Sequence, residues 1–176
     1  GLEYEEVAPE ILVTDFMSAD QCKRYIEASE SLGRWGELDG DKFPAQEIRL
    51  KELGLWDEIS QQWADKLSKI CEKHWHPEAY LGLRDAFTMR YSMETQTELG
   101  LHTDASLFTG SVKLNDNYAG AELVFPRQEF TNKNVKVGQC ILFPSMVTHG
   151  HKVLPLRGGK KYSLTMWTRR YEGDSN

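Results

Sequence analysis

Nowhere does this sequence run apolar for the roughly 20 residues that a bilayer-crossing helix needs, which excludes a helical membrane span. Positive charge is also in short supply, with 21 Lys and Arg against 27 Asp and Glu and a formal net charge of -6. Phosphate backbones are bound through clustered cations, so the balance argues against nucleic acid and makes a cationic partner the easier fit. The three cysteines, Cys22, Cys71 and Cys140, are too few and too scattered for a disulfide framework or a thiolate metal site. They read as small core residues with one optional disulfide. Low-complexity tracts, internal repeats and linkers are missing too, so nothing divides the chain. It begins at Gly1 with no basic-then-apolar leader, as a domain taken from something longer would, and its compartment is unread. What is present is 176 residues, 40% of them hydrophobic and 27% charged. A single domain of that size buries roughly 70% of the surface its unfolded form exposes.

The hydrophobic pattern changes character midway. Residues 1–85 read as mainly helical after one short strand at Ile11, Leu12 and Val13. Ser18 followed by Gln21 is a capping-box start for a first helix that carries Cys22, Tyr25, Ile26 and Ser29 on one side and stops near Gly33. Trp56, Ile59, Trp63, Leu67, Ile70 and His74 recur at steps of three and four, the face of a second helix that Pro77 ends. From Phe87 the texture is short apolar or alternating segments broken by Gly, Pro, Asn and Asp. Candidate strands run through Phe87, Met89 and Tyr91, then 107–114, 122–125, 139–143 and 161–167. Two helices backing a β-sandwich is the expected architecture, in an α+β chain whose tail, 172–176, reads as disordered.

Chemistry concentrates in the strand-rich half. His102 and Asp104 lie two apart on an expected strand, which points both side chains to one face and lets them share an ion. Alone, a His-x-Asp pair is a weak signal. His149 and His151, just after the apolar strand 140–143, offer a third ligand. Two imidazoles and a carboxylate on one face of a metal leave positions open opposite, the set that non-haem iron(II) oxygenases use. Lys161 and Ser163, again two apart, can present an ammonium and a hydroxyl to the far carboxylate of a dicarboxylic acid. His74 and His76 form a competing pair at a helix end and read as structural or surface residues.

Taken together, these residues resemble the catalytic domain of procollagen lysyl hydroxylases. The likeness runs through Met89-Arg90-Tyr91, His102-Thr103-Asp104-Ala105-Ser106, Phe108-Thr109, Val112, Leu114-Asn115 and Tyr118-Ala119-Gly120. It continues in Thr148-His149-Gly150-His151, Leu154-Pro155 and Tyr162, and upstream in Glu30, Gly33-Arg34-Trp35 and Pro44-Ala45-Gln46-Glu47-Ile48. The resemblance implies a double-stranded β-helix, or jelly-roll, core at about 86–171, preceded by a helical lead-in at about 1–85, in one domain spanning 1–176. It makes His102 and Asp104 the first two iron ligands and selects His151 as the third. Lys161, ten residues after His151, becomes the 2-oxoglutarate anchor, with Tyr91 and Ser163 beside it. Lysyl hydroxylases carry arginine at that place and collagen prolyl 4-hydroxylases carry lysine, so the chain departs here from the family it most resembles.

The implied activity is an iron(II)- and 2-oxoglutarate-dependent dioxygenase that hydroxylates lysine in collagen-like peptides, using O2 and ascorbate and releasing succinate and CO2. By the same resemblance the compartment is the endoplasmic reticulum lumen, and a homodimer is an assembly open to it. Two other readings stay in view: a prolyl 4-hydroxylase-like or other peptide or amino-acid hydroxylase, and a noncatalytic jelly-roll module with a structural metal, for example zinc with a closed fourth position.

Overall fold

The computed structural model describes residues 2–36, 46–78 and 82–170; the expected disordered tail and Pro44-Ala45 lie outside them. Twelve strands among the described residues form two antiparallel sheets. The larger holds β1 (Glu5–Ala8), β2 (Ile11–Asp15), β10 (Gln139–Pro144), β6 (Phe108–Lys113), β12 (Leu156–Thr168), β4 (Leu83–Ser92) and β3 (Gln46–Arg49) in that order, with β7 (Tyr118–Gly120) on the far end of β12. The smaller runs β5 (Leu99–His102), β11 (His151–Val153), β8 (Leu123–Phe125) and β9 (Phe130–Thr131). The apolar strands expected from alternation all appear. Five were not expected: β7, β9 and β11, of two or three residues, and β1 and β3. The last two are four residues each, and their sequences EEVA and QEIR have no apolar alternation to reveal them. They sit at the edges of the large sheet, where polar side chains are tolerated.

Four helical segments precede the long strands. Helix α1 (Ala19–Leu32) starts where Ser18 accepts a hydrogen bond from the Gln21 amide and stops at Gly33, whose φ of 68° turns the chain into the left-handed region. A single turn, α2 (Leu50–Leu53), leads to α3 (Trp56–Gln62) and α4 (Ser68–Trp75), joined by a π-helical turn at Trp63–Leu67. The face foreseen from spacing is the buried one: Ile59, Trp63, Leu67 and Ile70 are fully enclosed. Gly110 on β6 makes room for them, since a Cβ there would stand 3.4 Å from the Trp63 ring and 3.0 Å from Met166.

Alternation along the central strands divides the interior in two. On β10, β6 and β12, Cys140, Leu142, Val112, Leu164 and Met166 face the helices and close one core with Tyr25, Ile59 and Trp63. Their neighbours Ile141 and Phe143 turn the other way, and with Phe87, Met89 and Tyr91 meet Leu123, Phe125 and Val153 of the small sheet in a second core. The large sheet therefore has helices on one side and the small sheet on the other. Among the described residues, no helix is long and apolar enough to cross a membrane. Cys22, Cys71 and Cys140 are buried free thiols, so the optional disulfide is not formed.

Gly138 fastens the N-terminal strands to this frame. Its φ is 88°, its carbonyl accepts from the Phe16 and Met17 amides, and its own amide donates to the Lys113 carbonyl. A Cβ would fall 2.2 Å from the Met17 carbonyl oxygen. Gly138→Ala is expected to lower stability by about 3 kcal/mol, combining a left-handed backbone penalty with that collision; urea denaturation reads the loss.

Candidate metal centre

His102 closes β5, and His151 opens β11 directly opposite it in the ladder of the small sheet. Asp104 is not on the strand. It follows two residues after β5 has ended, so the alternation expected to aim both side chains the same way does not operate. The backbone turn delivers the carboxylate instead. Its Oδ1 lies 3.3 Å from His102 Nε2 and 3.3 Å from His151 Nε2. All three ligand atoms fall within 4.8 Å of one another, and among the described residues no fourth His, Cys, Asp or Glu joins them.

Each group is oriented from behind. His102 Nδ1–H donates to the Gly100 carbonyl at 2.7 Å and His151 Nδ1–H to the His149 carbonyl at 3.0 Å. With Nδ1 so tied, Nε2 of each ring faces the carboxylate, donating to it when protonated and offering its lone pair once a metal displaces that proton. The Thr109 hydroxyl donates to Asp104 Oδ2 at 2.9 Å and is itself held by Ser145 Oγ at 2.6 Å. Burial alone would raise the Asp104 carboxyl pKa; the two imidazoles outweigh it and hold the group far below the usual range. For His151 burial works downward, and the Asp104 charge prevails to raise its pKa.

His149 belongs elsewhere. Its Nε2–H donates to the Glu10 carbonyl and its Nδ1 accepts from the Thr148 hydroxyl, so neither nitrogen is available to an ion at the triad. His74 bonds the Tyr4 hydroxyl and stands with Glu6 and Glu10 in a largely exposed group. Those carboxylates already accept from the Glu10 amide and the Trp75 indole.

The triad opens into a cavity of about 460 Å³ between the sheets. Lys161, Ser163 and Tyr91 all line it. Lys161 is 5% exposed, pairs across the strands with Tyr91, and holds Nζ 5.2 Å from that ring while donating to the Ala121 carbonyl at 2.8 Å. Burial, and then the charge of Lys113, push its pKa down to about 7 against a weaker upward pull from Glu122. Burial also raises the Tyr91 hydroxyl, reinforced by Glu47 and Asp104. Three cavity residues were not legible in the sequence. Lys113 and Glu47 lie on strands whose charged residues look like solvated positions, and Thr109 shows its part only once Asp104 is placed beside it.

Comparison with known proteins agrees with this geometry. Residues 86–169 match the family model described as the 2OG-Fe(II) oxygenase superfamily. Over 92% of this chain, 25% of residues are identical to the procollagen lysyl hydroxylase and glycosyltransferase of Acanthamoeba polyphaga mimivirus, of which 20% is covered. The multifunctional procollagen lysine hydroxylase and glycosyltransferase of Rattus norvegicus is 27% identical over 91% of this chain and 23% of its own length. The chain thus spans about a fifth of the length of these curated relatives. Among solved structures, the viral collagen prolyl hydroxylase from Paramecium Bursaria Chlorella virus-1 superposes with a TM-score of 0.71 at 20% identity, covering 94% of this chain and 99% of its own. A Pseudomonas putida prolyl-4-hydroxylase follows with a TM-score of 0.65 at 17% identity, 92% of each chain being covered. These likenesses establish a shared fold. Residues 86–169 thus combine a sequence match to the 2OG-Fe(II) oxygenase superfamily, which uses iron(II), 2-oxoglutarate and O2, with a His-Asp-His set that fits iron(II).

Proposed function

We propose that this domain hydroxylates lysine side chains in collagen-like peptides. One observation carries the reading: three metal-ligand atoms converge at one end of a cavity whose wall also holds a buried lysine, Lys161. His102, Asp104 and His151 are the iron ligands in this reading, and a bound iron(II) ion supplies the activation of dioxygen that no side chain can provide. Lys161 pairs with the distal carboxylate of 2-oxoglutarate and fixes its direction, with Tyr91 and Ser163 flanking it. Phe87, Leu123, Phe143 and Val153 keep water from the reacting end. The reaction balances as 2-oxoglutarate, O2 and a substrate C–H giving succinate, CO2 and a C–OH, one oxygen atom entering succinate and the other the substrate. Ascorbate serves as the reductant that keeps the iron ferrous.

Lysine as the target is supported by the curated relatives, which are named for lysyl hydroxylation and align along nine-tenths of this chain. The buried carboxylate of Glu47 in the cavity wall also suits a cationic guest. Proline is the second reading, because Lys161 stands where collagen prolyl 4-hydroxylases carry lysine and the solved structures of like fold include collagen prolyl hydroxylases. The absence of a fourth protein ligand among the described residues disfavours a closed structural zinc site.

Succinate release from 2-oxoglutarate, with iron(II), ascorbate and matched lysine- or proline-containing collagen-like peptides, is the deciding assay. Turnover is expected to rise with the lysine peptide and vanish in His151→Ala; stimulation by the proline peptide alone would transfer the assignment to prolyl hydroxylation, and iron-independent turnover would sink the metal reading. Thr109→Val is expected to weaken metal binding by about 10- to 100-fold, since it removes the hydrogen bond that orients Asp104; calorimetric titration with manganese(II) measures it, and an unchanged affinity removes Thr109 from the site. Lys161→Met is expected to weaken 2-oxoglutarate binding by roughly 100-fold or more, because it leaves the distal carboxylate buried without a partner. The same change is expected to raise the melting temperature of the ligand-free protein by removing a buried cation. In the wild type, Lys161 is charged below about 7 and neutral above, so binding above that pH must take up a proton. Apparent 2-oxoglutarate affinity is expected to fall as pH rises past 7, by up to about tenfold per unit.

A further inference from the structure

We propose that Lys113 is a second cation for the cosubstrate, so that the distal carboxylate of 2-oxoglutarate lies between two ammonium groups and not on Lys161 alone. The inference rests on the reading that the cavity takes 2-oxoglutarate with Lys161 at its distal end.

Strand register puts the two lysines together. Lys113 ends β6 opposite Ser163 of β12, and Lys161 lies two residues from Ser163 on the same strand. Alternation sends all three to one face, where Lys113 and Lys161 are diagonal neighbours within reach of long side chains, and all three line the cavity. Their ends are tied to one patch of the opposite wall. Lys161 Nζ donates to the Ala121 carbonyl at 2.8 Å and Lys113 Nζ to the Asn132 carbonyl at 3.0 Å. Ala121 leads into β8 two residues before Leu123, and Asn132 holds β8 by accepting from the Leu123 amide.

Two cations so placed repel each other, and burial worsens the cost. Each ammonium has three donors and gives one to a carbonyl in these contacts. Among the described residues, no carboxylate stands within ion-pair distance of either. Glu122 acts on Lys161, and Asp116 on Lys113, only through space. Tyr91, the other titratable group facing Lys161, is kept protonated by its burial. An anion entering the cavity relieves this repulsion, and a carboxylate offers one oxygen to each ammonium. Lys113 therefore does two opposed things. It opposes the charge on Lys161 while the cavity is empty and attracts the ligand that restores that charge.

The opposition makes the test decisive. The protein loaded with manganese(II) is titrated at pH 7 with 2-oxoglutarate and with 2-oxopentanoate, which carries a methyl group in place of the distal carboxylate. Lys113→Gln keeps an N–H donor for the Asn132 carbonyl and loses the charge; Lys113→Met is the second neutral variant, and Lys113→Arg keeps the charge. The neutral variants are expected to weaken 2-oxoglutarate binding about tenfold or more, the size of a hydrogen bond to a charged group. Their affinity for 2-oxopentanoate is expected to change less than about twofold, with Arg within a few fold of wild type. Equal or tighter 2-oxoglutarate binding by the neutral variants would show that Lys113 only repels Lys161. A loss shared equally by both ligands would make it a structural residue; either result overturns the proposal while leaving the cosubstrate reading intact. Wild-type protein that binds no 2-oxoglutarate would remove that reading, and this inference with it.

Discussion

The large sheet has to serve two environments that cannot be exchanged. Every second residue of β6, β10 and β12 closes a dry core against the helices, while the residues between them wall a cavity that holds charged groups. A slip of one residue in any of these strands would put Lys161 or Lys113 under Trp63 and turn Leu164 or Val112 toward the metal ligands. Register is consequently under strong selection from burial itself, and the chemistry inherits its positions from the packing. Trp63 and the π-helical turn it begins, Gly110 beneath them and Gly138 at the end of β6 act on the site at a distance, by holding this register.

Much of this could be read from the chain. The strands that were legible, β2, β4, β6, β8, β10 and β12, are those with an apolar run or an apolar residue at alternate positions, and α1 announced itself through Ser18, Gln21 and Gly33. The helix face through Ile59, Trp63, Leu67 and Ile70 was equally plain, because burial selects its spacing even where a π turn interrupts the regular ladder. Strands β7, β9 and β11 are too short to show a pattern, and β1 and β3 escaped notice because an edge strand needs backbone partners more than apolar side chains. In the site, His102, Asp104, His151, Lys161, Tyr91 and Ser163 do line one cavity, though Asp104 reaches it by a turn and not by the alternation that suggested it. Family resemblance, not spacing, chose His151 over His149; the hydrogen bonds of His149 supply the physical reason. Lys113, Glu47 and Thr109 had no signal of their own, since a charged or hydroxyl residue on a strand acquires meaning only from what faces it.

Charge inside the cavity is arranged in advance of its ligands. Asp104 is held ionised between two imidazoles, Lys161 is buried beside another lysine, and Glu47 lies in the same wall. Groups so placed disfavour the empty folded state, and a stable frame tolerates them because the two cores bury enough apolar surface elsewhere. The hydrogen bonds from Thr109 to Asp104 and from the two imidazoles to backbone carbonyls restrict these groups to one geometry before any ligand arrives.

The two ends of the site also belong to different sheets. His102 and His151 stand on β5 and β11 of the small sheet, whereas Lys161 and Lys113 stand on β12 and β6 of the large one. Facing sheets pack about 10 Å apart, and the two lysines span that gap to reach carbonyls beside β8. In the proposed reading a diacid gripped by the metal and by these ammonium groups is therefore tied to both sheets at once. The length of the lysine side chains, set against the gap they cross, then becomes the ruler for the cosubstrate.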